Sequence, residues 1–93
     1  MIQTFADQQT QKVWERKHVP RLGRDVQRAA QKKLRLLNAA DSINDLRVPP
    51  GNRLEKLAGD RKGQYSIRIN DQYRICFVWT ASGPDQVEIA DYH

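Results

Sequence analysis

Hydrophobic and polar positions alternate most regularly between residues 65 and 79. Tyr65, Ile67 and Ile69 alternate with Ser66 and Arg68. After Asn70-Asp71-Gln72 the apolar set resumes at Tyr73, Ile75, Phe77 and Trp79, separated by Arg74, Cys76 and Val78. Period-2 alternation marks strands with one face on a core, so this stretch predicts a β-hairpin. Residues directly opposite must share a face, and a two-residue loop at Asn70-Asp71 would set Ile67 against Arg74. A three-residue loop, Asn70 to Gln72, instead pairs Ile69 with Tyr73, Ile67 with Ile75 and Tyr65 with Phe77. The same register sets Arg68 across from Arg74 on the other face, where facing like charges cost up to about 1 kcal/mol. Paired arginines that oppose folding point to a face that receives an anion. The bland alternative is a solvated face on which long side chains splay apart.

The rest of the pattern arranges itself around this hairpin. Met1 to Phe5 reads as a short edge strand. Asp7 to Lys17 reads as a helix with Val13 and Trp14 inward, broken at His18-Val19-Pro20. Arg21 to Ala40 carries an apolar stripe at helical spacing: Leu22, Val26, Ala29, Ala30, Leu34, Leu37 and Ala40. Arg24, Arg28, Lys32 and Arg35 fall on its other side, a stripe that most often is simply solvated. Asp41 to Asp45 predicts one more turn, capped by Ser42 with Asp45 in its first turn. Val48-Pro49-Pro50-Gly51 reads as a stiff link without helix potential. Asn52 to Leu57 opens the sheet as a short or bulged strand, and Gly59 to Gly63 is a basic loop. Ser82 to Asp85 is the next turn. Gln86 to Asp91 is the last strand, with Trp79 expected opposite Val87, Phe77 opposite Ile89 and Arg74 opposite Tyr92. Arg68, Arg74 and Tyr92 then form one row. The order of elements, helices followed by an antiparallel meander, gives an α+β fold class.

Length and charge narrow the function. Ninety-three residues suit one small domain, expected to span 1–93. The net charge is +5, and all 16 Lys and Arg fall within residues 1–74; residues 75–93 carry only Asp85, Glu88 and Asp91 as charged side chains. A basic excess of this kind attracts phosphate but does not by itself establish a nucleic-acid partner. One cysteine, Cys76, excludes an intrachain disulfide and a cysteine-based zinc site, and is expected to pack as a small hydrophobe. Without a basic-then-apolar leader or a membrane-length apolar run, a cytoplasmic location with no membrane partner is expected.

No metal-ligand spacing, glycine-rich phosphate loop or serine–histidine–acid set is visible, so no metal or cofactor is expected. A phosphodiester site does converge. Cleaving RNA through attack of its own 2′-OH needs a base near that hydroxyl, cations for the charge on phosphate, and an acid for the leaving 5′ oxygen. Arg74 and Arg68 are the candidate cations. His93 is the natural proton carrier, since a histidine's unperturbed pKa is about 6.5. Tyr92 is placed to stack on a base or steer a proton, and Glu55 is the acidic side chain expected to reach this face. Against these stand plain alternatives: a frayed carboxyl-terminal tail for Tyr92-His93, and an ion pair with Arg68 for Glu55.

The stretch PPGNRLEKLAGDRKGQYSIRINDQYRICFVW and the ending Val87-Glu88-Ile89-Ala90-Asp91-Tyr92-His93 carry a resemblance that spans essentially the whole chain. It resembles the HigB-like toxins of bacterial toxin–antitoxin pairs, within the RelE/ParE superfamily. The resemblance implies two amino-terminal helices packed on an antiparallel sheet in a compact domain. It implies an endoribonuclease that cuts mRNA on the ribosome, inhibits translation and growth, and is neutralised by a helix-turn-helix, HigA-like antitoxin. Operator DNA is then met only through that antitoxin. Asp91, Tyr92 and His93 match the family's carboxyl-terminal catalytic motif, and Arg74 its phosphate-stabilising arginine. Glu55 completes the candidate catalytic set, and Arg53, Lys56, Arg61, Lys62, Arg68 and Gln72 are the candidate RNA contacts. Two positions depart from the strongly active pattern: Glu55 stands where the family has a histidine, and Ala58 where it has a lysine. Those departures imply a slow enzyme. They also leave open a ParE-like poison of DNA gyrase without nuclease chemistry, or a degenerate toxin acting only as co-repressor with its antitoxin.

Overall fold

The computed structural model describes residues 1–92. Two helices, α1 (Gln8–Trp14) and α2 (Arg24–Ala39), precede four strands: β1 (Glu55–Lys56), β2 (Tyr65–Arg68), β3 (Tyr73–Thr80) and β4 (Gly83–Asp91). The strands form one antiparallel sheet in the order β1-β2-β3-β4, and the expected α+β architecture is present. The β2–β3 register is the one that the alternation demands: Tyr65 faces Phe77, Ile67 faces Ile75, and Arg68 faces Arg74. Asn70 closes the three-residue loop by accepting the Gln72 and Tyr73 N–H groups on its side-chain oxygen at 2.9 and 2.8 Å. The inner face carries Ile67, Ile75, Phe77, Val87 and Ile89 against Val13, Ala30, Leu34 and Leu37, all essentially solvent-free.

The helices are shorter than their apolar stripes. Asp7 is the cap of α1 rather than its first residue, accepting the Thr10 N–H at 2.7 Å. The helix stops at Trp14, because Arg16 takes a left-handed conformation (φ 65°) that cannot continue it. Pro20–Leu22 form a separate 3-10 turn, and α2 begins only after Gly23, whose φ of 75° changes the chain direction. A further 3-10 turn, Ile43–Arg47, has Ser42 as its cap residue and Asp45 in its first turn, as expected, and Asp45 accepts the Ser42 N–H at 3.1 Å. The Pro-rich link does hold a helical turn, Pro50–Asn52, since proline fits the first position of a helix where no N–H donor is needed.

The last strand departs most from expectation. It starts at Gly83, three residues early, and the turn is Ala81-Ser82. Thr80 faces Gly83, Trp79 faces Pro84 and Val78 faces Asp85. An irregularity then shifts the register, and beyond it Cys76 faces Glu88, Ile75 faces Ile89 and Arg74 faces Ala90. The strand carries one extra residue there, at Gln86 (φ 52°), which keeps both Trp79 and Val87 on the inner side. The expected Phe77–Ile89 and Arg74–Tyr92 pairs are therefore not formed. Pro84 is tolerated because β4 is the edge of the sheet.

That edge is covered by the amino-terminus rather than left bare. Gln3 N–H donates to Pro84 O (2.8 Å), Val87 N–H to Thr4 O (3.0 Å) and Ala6 N–H to Val87 O (2.9 Å). Only a single parallel bridge, Phe5 to Val87, results, so Met1 to Phe5 is not the strand its pattern suggested. Gly83 is required by this cover: a Cβ there would sit 2.4 Å from Met1 O. Thr10, fully buried in α1, accepts the Ile89 N–H at 3.0 Å and joins helix to edge strand.

Candidate active site

The strand parity that buries Ile67 and Ile75 turns Ser66, Arg68, Arg74 and Cys76 to the outer face. Glu55 joins them from β1, opposite Ser66, and Glu88 from β4, opposite Cys76. Arg74 is the centre of this face. Its Nε–H donates to Ser66 Oγ at 2.7 Å. Its Nη2 donates to Arg53 O at 2.5 Å and, at longer range, to Ser66 O at 3.4 Å. Glu55 Oε1 lies 3.9 Å from the same nitrogen, at the outer limit of an ion pair. The Arg74 side chain is only 12% exposed, whereas that of Glu55 is 60% exposed. Among the described residues, Nη1 makes no hydrogen bond. One side of the guanidinium is thus fixed by protein oxygens, and the other keeps two N–H donors for a further acceptor.

Local sequence explains this hold. Ser66 is fully buried by its neighbours although it sits on the face away from the core. Arg53 presents its carbonyl after a left-handed turn (φ 46°, ψ 57°) that follows the buried Asn52. Asn52 in turn donates to Leu46 O (3.2 Å) and Val48 O (3.3 Å) and accepts Lys33 Nζ. The bend before β1 is therefore anchored, and with it the oxygen that positions Arg74.

A second group lies beside Arg74. Arg61, from the 3-10 turn Gly59–Arg61, pairs with Glu88 at 3.1 Å and also donates to Gln64 Oε1 at 3.1 Å. The hydrogen bond to Glu88 raises the Arg61 pKa further, so its charge is permanent. Tyr92 places its hydroxyl 3.7 Å from Cys76 Sγ, and its N–H donates to Gln72 O at 2.6 Å. Burial, then the contact with Cys76, raises the Tyr92 phenol above its ordinary value. Burial likewise raises the Cys76 thiol. Both groups are neutral at physiological pH. Tyr92 is thereby a hydrogen-bond donor and stacking surface rather than a base, and Cys76 is not a nucleophile. A cleft of about 390 Å³ borders the ring, lined by Asp7, Arg21, Arg61, Glu88, Asp91 and Tyr92 among others.

The remaining candidates distribute unevenly. Asp91 faces Tyr73, and its carboxylate accepts Gln72 Nε2 at 3.3 Å, so Gln72, Asp91 and Tyr92 meet at the end of the sheet. Arg68 does not join Arg74 in holding a common site. It pairs with Asp71 in the hairpin loop, and the two facing arginines diverge. The row expected to join Arg68, Arg74 and Tyr92 instead ends at Ala90, with Tyr92 two residues beyond. Lys56 and Lys62 are exposed and make no side-chain hydrogen bond or ion pair among the described residues. His93 lies outside the described residues. Ser66, Cys76 and Glu88 were not singled out from the sequence. The hairpin register already placed Ser66 and Cys76 beside Arg74, but Glu88 needed the shifted β4 register.

The family of RelE-like toxins of the type II toxin–antitoxin system HigB matches residues 3–93. The chain belongs to the HigB-like toxins. Toxin HigB-1 of Vibrio cholerae is 52% identical over 54 residues, a match covering 58% of this chain and 57% of that protein. An uncharacterized protein of Haemophilus influenzae is 48% identical over 46 residues, covering 50% and 46% of the two chains. The matches thus span about half the length of these relatives. The solved YoeB-YefM complex from Staphylococcus aureus contains a chain of the same fold, with a TM-score of 0.63. The superposition covers 100% of this chain and 98% of that one, at 16% identity. The outer face of the sheet carries Arg74, and Gln72, Asp91 and Tyr92 meet at the end of that sheet. No helix among the described residues is long and apolar enough to cross a membrane.

Proposed function

We propose that this HigB-like protein is a toxin that cuts mRNA on the ribosome, in the cytoplasm, and is held inactive by a helix-turn-helix antitoxin. The observation that carries this reading is the half-held guanidinium of Arg74. Protein oxygens fix it on one side, and its Nη1 donors are unused among the described residues. A planar fork fixed in this way suits a phosphate whose charge grows as the reaction proceeds.

In the proposed reaction, the 2′-hydroxyl loses its proton and attacks the adjacent phosphorus while the P–O5′ bond breaks. The leaving 5′ oxygen takes up a proton. Arg74 binds the non-bridging oxygens, and Tyr92, kept neutral by its surroundings, stacks on a base or donates a hydrogen bond. His93 is the proton carrier. Glu55 and Asp91 are the carboxylates assigned to this site, and a carboxylate is a weak base at neutral pH. Glu55, 3.9 Å from Arg74, also opposes the approach of phosphate. Both features fit slow cleavage. Arg53, Lys56, Arg61, Lys62, Arg68 and Gln72 border the path of the strand. A protein partner is supported by the solved neighbour, the YoeB-YefM complex from Staphylococcus aureus.

The reading is tested by incubating purified protein with one message, naked or on translating ribosomes, and mapping ends by primer extension. Cuts confined to the ribosome-bound message support it. Efficient cutting of naked RNA contradicts the ribosome requirement, and no cutting in either state contradicts the nuclease.

A further inference from the structure

A second concentration of cationic side chains lies in the helical layer, sharing no residue with the outer face of the sheet. A cleft of about 330 Å³ opens between the chain leaving α1 and the first half of α2, lined by Arg16, His18, Arg24, Gln27, Arg28 and Gln31. Among the described residues, no acidic side chain lines it. Among the described residues, the side chains of Arg16, Arg24 and Arg28 form no hydrogen bond or ion pair, whereas Arg61, Arg68 and Arg74 all do. The two glutamines are already committed to shape. Gln27 accepts the Val19 N–H at 3.0 Å and donates to Lys17 O at 2.5 Å, and Gln31 donates to Val13 O at 3.4 Å. They fasten the connector to α2, and the left-handed Arg16 turns the chain so that its side chain joins the cleft.

We propose that this cleft is a second phosphate site, which grips the backbone of an RNA that is not the strand being cut. The inference rests on the RNA reading above and adds to it a separate foothold. Three unpaired guanidinium groups converging without a carboxylate repel one another unless an anion joins them. Planar guanidinium forks match phosphate oxygens bidentately. The volume is at the small end of ligand sites, which suits a phosphate with its sugar rather than a large ligand. An acidic peptide is the less favoured occupant, because a peptide normally needs an apolar anchor, and none of the six lining residues is aliphatic.

The test uses the full chain and a blunt RNA duplex, which offers phosphates but no single strand to cut. Binding is titrated across salt concentrations for the wild type, for Arg24→Ala/Arg28→Ala and for Lys12→Ala/Arg35→Ala. The last pair removes the same charge from exposed positions outside the cleft. Each phosphate contact contributes about 0.9 to the slope of log K against log salt on a duplex. The cleft variant is therefore expected to show a slope shallower by about 1.8, with the control pair close to wild type. Arg24→Lys/Arg28→Lys, which keeps the charge, should retain most of the slope, and circular dichroism shows that each variant is folded. Equal slopes for the wild type and the cleft variant overturn the proposal. So does an unchanged RNA slope accompanied by lost binding to an acidic partner peptide. The titration requires no cleavage, so failure of the nuclease reading leaves this result independent.

Discussion

Arg74 donates its Nε–H to the hydroxyl of Ser66 at 2.7 Å, and Ser66 is completely buried. A buried hydroxyl on an otherwise outward face, spent on a mostly buried arginine, is a positioning device. Ser66→Ala should cost about 1.5–3 kcal/mol of stability, the worth of one hydrogen bond to a charged group left unmade. Cleavage should fall by about ten- to a hundredfold through loss of orientation. Arg74→Ala should lower the rate by about 10²–10³, as removal of a transition-state donor does. Arg74→Lys should recover little, because a point charge cannot keep the Ser66 and Arg53 contacts together. Single-turnover cleavage on ribosomes, with urea denaturation alongside, separates the effects.

Arg68 faces Arg74 across the strands but turns to Asp71. Its side chain is 34% exposed and that of Asp71 fully so, and surface pairs of this kind contribute about 0–1 kcal/mol. Cross-strand repulsion works against that gain with similar size. Arg68→Ser should therefore leave the urea midpoint within about 0.5 kcal/mol of wild type and reduce activity far less than Arg74→Ala. A loss of stability well above 1 kcal/mol would show that Arg68 has a structural role that its pairing with Asp71 does not account for.

Glu55 stands 3.9 Å from the guanidinium expected to receive phosphate. Glu55→Gln keeps the shape and removes the charge. As an electrostatic handicap, Glu55 should give a several-fold gain in cleavage when neutralised. Abolished cleavage in a folded variant would instead make Glu55 the base that takes the 2′-OH proton.

Burial holds the Cys76 thiol above its ordinary range, with the unfolded chain titrating normally. A neutral group kept protonated by the fold contributes stability that is complete below the unfolded thiol's pKa. That stability is lost as pH rises through the higher folded value. Wild-type stability should therefore decline from about pH 8.5 upward more steeply than that of Cys76→Ala. Alkylation of Cys76 in the native protein should remain slow across the same range. Rapid modification at pH 8 would contradict the buried, neutral thiol.

The hairpin was legible because large apolar residues recur at every second position on both sides of Asn70-Asp71-Gln72, and a three-residue loop keeps the faces matched where a two-residue loop does not. The β3–β4 pairing was not. Gly83-Pro84 carries the signature of a turn, yet it lies inside the strand, where Gly83 makes room for Met1 and the missing N–H of Pro84 is tolerated at the edge. The extra residue at Gln86 then moves the pairs, so Glu88 rather than Ala90 comes to face Cys76. At the site, Arg74 and Tyr92 stood out as chemistry. Cys76 packs as the small hydrophobe expected of it, but Ser66 did not stand out, because a small polar residue on an outward parity looks solvated until a large neighbour is known to cover it. Arg16 ended α1 early for a reason that no propensity announces, a left-handed residue stitched in place by Gln27 and Gln31 beyond it.

The central claim is that the Arg74 face cuts translated messages. It is tested most directly by mapping RNA 5′ ends genome-wide a few minutes after induction of the wild type or of Arg74→Ala. Discrete new ends inside open reading frames, present for the wild type and absent for Arg74→Ala, are the predicted result. Intact messages together with breaks in chromosomal DNA would contradict the account and place the toxic action on gyrase.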